Sequence, residues 1–315
     1  MWDWSIRQKN EEFLKEYDPI YFEALSSMMF HYLDEAEDIS DKDRQYMSLG
    51  IRNIHAQATE TLFALMSATL QAPDCVYGWL FKYRIHQLNS IVTKIRNGDF
   101  LRNKFRLPNI TWSVISNLIH TFTLEDKERE TAIKHQYADF WSRLSSEFIS
   151  SEHTSIYNSI KHRYRARPGG MFLSIGKEKI PGQPANPEDM QTLGGSKYGA
   201  SYYYIDPKTS DSKNFRLRIR TTNWSPKGIW IQIALIRFSI SNLISFLRIQ
   251  HGHDPKDSPF IWPENIDDFT EDLKTTPGTL NASFDIVISD RQIQKLTKKE
   301  LIALYDEHFS PKSAS

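Results

Sequence analysis

One cysteine in 315 residues is too few for a disulfide within the chain, or for a zinc site built on several thiolates. That residue, Cys75, follows Pro73-Asp74 and reads as a small packed side chain at a helix junction, compatible with a reducing compartment. The Walker loop, Gly-x-Gly-x-x-Gly, Gly-x-Ser-x-Gly and His-Glu-x-x-His are all missing, so no familiar signature calls for a cofactor or a resident metal. Net charge is missing too, with 39 Lys and Arg against 39 Asp and Glu. The longest apolar stretch, residues 229–249, is interrupted by Gln232, Arg237 and Asn242. A bilayer would penalise those side chains, which predicts a buried helix in place of a membrane span. The first residues, "MWDWSIRQKNEEF", are polar and of mixed charge, so no signal peptide is expected. The expectation is a cytoplasmic protein without membrane partners.

What is present describes a folded chain, 40% hydrophobic and 25% charged. The first 160 residues read as helices. One or two amphipathic helices surround Pro19. Another begins near Asp41, with Ile51, Ile54, Ala58, Leu62, Leu65 and Met66 at helical spacing, and Pro73 follows its end. "VYGWLFKYRIHQLNSIVTKIRNG" reads as one helix stopped by Asn97-Gly98. Pro108 opens the next, and "EDKERETAIKHQYADFWSRLSSEF" carries its own 3.6-residue pattern.

The texture changes after Arg167. A Gly/Pro-rich stretch precedes "ASYYYID" and "NFRLRIRTT", and the second alternates Phe215, Leu217 and Ile219 with Arg216, Arg218 and Arg220. These two segments predict a hairpin across "DPKTSDSKN". Ser225-Pro226 then starts the long apolar helix, which is too apolar to stand alone and should pack back on the first bundle. The expected fold is mainly α, a helical bundle with an inserted β-hairpin or small antiparallel sheet. The expected divisions are 1–167 for the bundle, 168–225 for the basic insertion, and 226–315 for the apolar helix plus an acidic C-terminal segment.

The zero charge hides an asymmetry. Residues 161–248 carry 15 Lys and Arg against 5 Asp and Glu, and the remainder carries 24 against 34. Either the two parts pair internally, or the middle segment meets an anionic partner. "YNSIKHRYRARPGG", residues 157–170, concentrates the issue. If the helix continues, Asn158, Lys161, His162 and Arg165 share one face at i, i+3, i+4 and i+7. An imidazole, an ammonium and a guanidinium are the groups that cleave a phosphodiester without metal. The same residues also describe a solvated helix end whose cations suit the helix dipole.

Asn158-x-x-x-His162, followed by Arg165, resembles the end of the HEPN motif, Arg-Asn-x-x-x-His. HEPN proteins are helical bundles, often dimeric. Many are metal-independent ribonucleases of toxin–antitoxin, abortive-infection and CRISPR systems, and others are binding modules. The resemblance implies His162 as general acid/base and Lys161 and Arg165 on the scissile phosphate. Asn158 would orient the site together with an acidic residue from an earlier helix, for which Glu60 is the candidate. Glu60 lies on a polar stripe with Asn53 and Gln57; a solvated Glu60 is the other reading. Tyr157 stands where the family has its arginine, so Lys161 or Arg165 would have to replace that residue for the site to be active.

Arg163, Arg165 and Arg167 alternate, as do Arg216, Arg218 and Arg220. Extended rows step by about 7 Å, near the phosphate spacing of a single strand. Tyr202, Tyr203 and Tyr204 could stack bases. An exposed sheet edge protected by charge has the same pattern. The leading expectation is therefore an RNA-binding protein, an endoribonuclease of a bacterial defence or toxin system if the site is active. The alternative is a non-catalytic module whose basic middle docks an acidic protein partner or its own acidic flanks. His251, His253 and Asp254 offer metal-capable side chains, an incomplete set that a metal hydrolase would have to complete elsewhere.

Overall fold

The computed structural model describes residues 5–162, 165–180, 182–205, 214–270, 283–289 and 297–309. Two compact units divide the chain. The larger comprises Met1–Tyr202 and Thr221–Asn281, and the smaller Tyr203–Arg220 and Ala282–Ser315. The divisions near 167 and 225 do not coincide with them, because the start of the expected insertion packs with the bundle.

In the larger unit, α1 (Ile6–Glu16) and α2 (Tyr21–Glu35) flank Pro19. The 31-residue α3 (Asp41–Gln71) starts at Ser40, whose hydroxyl accepts the Asp43 N–H at 3.1 Å. The helix expected across residues 76–98 is two helices, α4 (Val76–Lys82) and α5 (Ile85–Asn97). Tyr83 and Arg84 are extended between them, and the Arg84 N–H donates to Gln87 Oε1 at 2.9 Å, which fixes a new helix start. Gly98, left-handed at φ 69°, closes α5 as expected. Then α6 (Trp112–Ile119) starts from a Thr111 cap, a few residues after Pro108, and α7 (Lys127–Phe148) starts from Asp126. After α8 (Ser151–Lys161) come β1 (Ala166–Pro168) and an antiparallel pair, β2 (Phe172–Gly176) with β3 (Met190–Gly195).

The Pro-Gly-Gly hinge follows β1. A Cβ on Gly170 would stand 2.1 Å from the Ser196 carbonyl, so only glycine fits. The fully buried Asn223 clamps the next residue from both sides: its Oδ1 accepts the Met171 N–H and its Nδ2 donates to the Met171 carbonyl, both at 2.8 Å.

β1 pairs antiparallel with β4 (Gly199–Ile205), Ala166 opposite Tyr202, and β4 neighbours β5 (Asn214–Asn223). These are the two strands expected for the hairpin; its connection lies outside the described residues. In the smaller unit, β5 pairs antiparallel with β6 (Ser283–Ser289), Arg218 opposite Asp285. The helix expected near the C-terminus is α10 (Lys298–Phe309), begun by a reciprocal cap: the Thr297 N–H donates to Glu300 Oε2 (2.6 Å) and the Glu300 N–H to Thr297 Oγ1 (3.3 Å).

The apolar stretch forms α9 (Pro226–Gln250), with Ser225 Oγ accepting the Gly228 N–H. It passes a length-and-composition test for a membrane span, and 67% of its apolar window is buried inside the protein. Its most extensive partner is α3. The polar groups that interrupt it are engaged: Asn242 Oδ1 accepts the Ile261 N–H (2.8 Å), and Trp141 Nε1 donates to Ser239 Oγ (2.9 Å). Fully buried Ile236 sits mid-helix among them. Ile236→Ala should therefore lower unfolding free energy by about 2–5 kcal/mol, measured by urea denaturation.

Candidate functional site

Ser150 accepts the His153 N–H at 3.0 Å and starts α8. His153, Ile156 and Ser159 form the buried side of the helix, while Asn158, Lys161 and His162 are exposed. Expected spacing and observed exposure agree for these three. They part at Arg165, because the helix ends at Lys161. His162 is the C-cap, its N–H bonded to the Asn158 carbonyl at 3.1 Å, and four residues later the chain is in β1. The i+7 position on a continued helix is therefore corrected: Arg165 stands between helix and strand, and Pro168 with the β1–β4 pairing draws the chain out of the helical path. Arg165 and Arg167 are both exposed. Arg163 lies outside the described residues.

Glu60 is half-buried on α3 and accepts a hydrogen bond from Tyr83 Oη at 2.9 Å. The α8 residue within its field is Tyr157. Burial and the Glu60 charge both push the Tyr157 phenol up, and burial, Glu60 and Tyr157 raise Tyr83.

In the smaller unit, Arg220 lies over the Tyr204 ring at 4.8 Å and donates to its hydroxyl at 3.1 Å. Arg216 and Arg218 keep their alternation along β5, paired in register with Val287 and Asp285 of β6. Elsewhere, His251 Nε2 stands 3.1 Å from the Pro73 carbonyl and 3.3 Å from Asn10 Nδ2, while Asp254 caps residues 255–257 by accepting the Lys256 N–H. His251 and the aspartate serve local structure, and among the described residues no group of three metal-capable side chains assembles.

The strongest electrostatics lie in a cluster that sequence reasoning missed. Arg52 of α3 bonds Glu147 of α7, and both side chains are about nine-tenths buried. His153 Nδ1 of α8 is 3.8 Å from the same carboxylate oxygen. His55 Nδ1 stands 3.5 Å from the Arg52 guanidinium, and His55 Nε2 stands 3.4 Å from Gln232 Oε1 of α9. Burial opposes ionisation of Glu147, yet Arg52 and the two histidines outweigh it and hold the carboxyl well below the usual range. His55 goes the other way: burial, then the Arg52 charge, lower it to about 3, so it is neutral at pH 7. The sequence carried one signal, a charged Arg52 and a His55 three residues on, set among the buried Ile51, Ile54 and Ala58. A cavity of about 20 Å³ adjoins Arg52, Glu147 and His153, room for about one water molecule and for no substrate. This cluster ties α3, α7, α8 and α9 together.

Removing one member strands the other in low dielectric. Arg52→Ala should cost about 3–5 kcal/mol in denaturant unfolding, and Arg52→Met combined with Glu147→Leu should recover most of that loss. The buried histidines set a pH dependence of defined sign. His55 and His120 both fall from 6.5 to about 3 in the folded chain, so only the unfolded chain takes up their protons between those values. Their contribution is fully present above pH 6.5 and is lost as pH falls toward 3, so urea midpoints should decline steadily below about pH 6.

No protein-family model, curated protein or solved structure matches the chain, and the reading of the α8 surface therefore rests on its own geometry.

Proposed function

We propose that this protein binds RNA through the exposed end of α8, as a HEPN-like protein would, and cleaves it there without metal. The supporting observation is the exposure of Asn158, Lys161, His162, Arg165 and Arg167 within ten residues of chain. Lys161 and Arg165 hold the phosphate by charge-assisted bonds. His162 takes the proton of the ribose 2′-hydroxyl. The 2′-oxygen then bonds phosphorus, the bond from phosphorus to the 5′-oxygen breaks, and the His162 imidazolium returns its proton to that leaving oxygen. The products are a 2′,3′-cyclic phosphate and a 5′-hydroxyl. Asn158 orients the phosphate. Glu60, engaged by Tyr83, leaves the scheme.

For the hairpin arginines a second reading is favoured. β6, from the acidic C-terminal region, pairs with β5 and sets Asp285 opposite Arg218, and Arg220 rests on Tyr204. On this reading Arg218 and Arg220 serve the chain's own acidic flank, in a module that docks acidic partners, and not the RNA strand.

Incubation of the purified protein with total RNA in EDTA tests the main reading. Cleavage is expected, with His162→Ala abolishing it while binding persists. Lys161→Glu with Arg165→Glu should weaken binding on the order of tenfold and flatten its salt dependence. Cleavage that survives His162→Ala overturns the mechanism, and RNA binding indifferent to the double reversal overturns the surface.

A further inference from the structure

A cleft of about 880 Å³ opens around α4 and the start of α5, within the range of small-ligand sites. One wall is aromatic. Trp79 and Tyr83, one turn apart, stack with centroids 5.3 Å apart and planes 11° apart. Both rings are pinned at their polar edges: Trp79 Nε1 donates to Gln71 Oε1 at 3.0 Å and Tyr83 Oη to Glu60 at 2.9 Å. Both remain half-exposed in the cleft. The rim is cationic, with Lys82, Arg84 and His86 all exposed, and none of the described lining residues is acidic. In a chain with as many acids as bases, a cleft without a carboxylate selects for an anion. The break between α4 and α5 creates this arrangement, since a continuous helix would carry Arg84 and His86 away on different sides of the helix.

A fixed aromatic face beside three cations suits a ligand that combines a flat π-system with negative charge. We propose that the α4–α5 cleft binds a nucleotide, the base stacked against the Trp79/Tyr83 wall and the phosphate held by Lys82, Arg84 and His86. Tyr83 connects the cleft to α8: its hydroxyl bonds Glu60, and Tyr157 lies within its electrostatic reach. The proposal does not depend on cleavage at His162.

Calorimetric titration of the full chain with AMP, adenosine, inorganic phosphate and a hexa-adenylate tests it. AMP should bind, with adenosine and phosphate each weaker on the order of tenfold, because each keeps half of the recognition. Trp79→Ala should weaken AMP binding about tenfold. Lys82→Glu with Arg84→Glu should do the same and reduce the salt dependence. That pair alters only exposed side chains, so it answers even if Trp79→Ala unfolds the protein. Lys161→Glu with Arg165→Glu should leave AMP binding unchanged, which separates this cleft from the α8 surface. Hexa-adenylate binding tighter than AMP identifies a strand as the ligand, and equal affinity identifies a free nucleotide; either supports the cleft. Failure of both AMP and hexa-adenylate to bind, or AMP binding indifferent to both cleft variants, overturns it.

Discussion

The buried Arg52–Glu147 ion pair ties α3 to α7 in the larger unit. Each charge loses several kcal/mol of hydration when buried, and only close pairing with further hydrogen bonds offsets that. Here the supplementary partners come from different elements: His55 on α3, His153 on α8, and Gln232 on α9 reached through His55. Apolar packing tolerates a helix shifted by a fraction of a turn, because one leucine contact can replace another. A buried carboxylate does not tolerate it. Two apolar clusters flank the pair along α3. One is built on Leu62, Trp141 and Leu243, and the other on Ile51, Ile54 and Ile233. The ion pair sets how α3, α7, α8 and α9 register against one another where those clusters meet.

That constraint decides what α8 can present. With His153 drawn inward toward Glu147, helical spacing turns Tyr157, one turn on, toward Glu60. Asn158, Lys161 and His162 are then left on the solvent side. Tyr157 also stacks on His153, with planes 20° apart, so it packs on the inner face of α8. An arginine at 157 would face Glu60 and compete with Tyr83 for it. The chain has instead placed its buried arginine at 52 and its buried acid at 147.

Much of the fold was legible. The stripes in α3, the Gly98 stop, the Ser225-Pro226 start and the strand alternation in β5 are local patterns, and local patterns survive tertiary context when they agree with it. The break at Tyr83 was not legible. It depends on Gln87 capping the Arg84 N–H and on Glu60, 23 residues away, holding the Tyr83 hydroxyl. The end of α8 was half legible: Pro168 and two glycines announced a stop, but its position before Arg165 depends on β1 pairing with β4 more than thirty residues on. The exposed triad of the candidate surface was readable from spacing. The buried cluster was hidden, because a charged residue beside an apolar stripe usually faces water, and only the partner at 147 shows that Arg52 does not.

The charge asymmetry can now be divided. Part of the basic middle is paired inside the chain, Lys179 with Asp189 and Arg237 with Glu23. The same does not hold for the last turn of α8, where Lys161 makes no ion pair among the described residues and stands exposed beside His162. Cations at a helix C-terminus gain a few tenths of a kcal/mol from the dipole. Lys161 is therefore the position at which the proposed phosphate contact can be tested without disturbing an ion pair among the described residues.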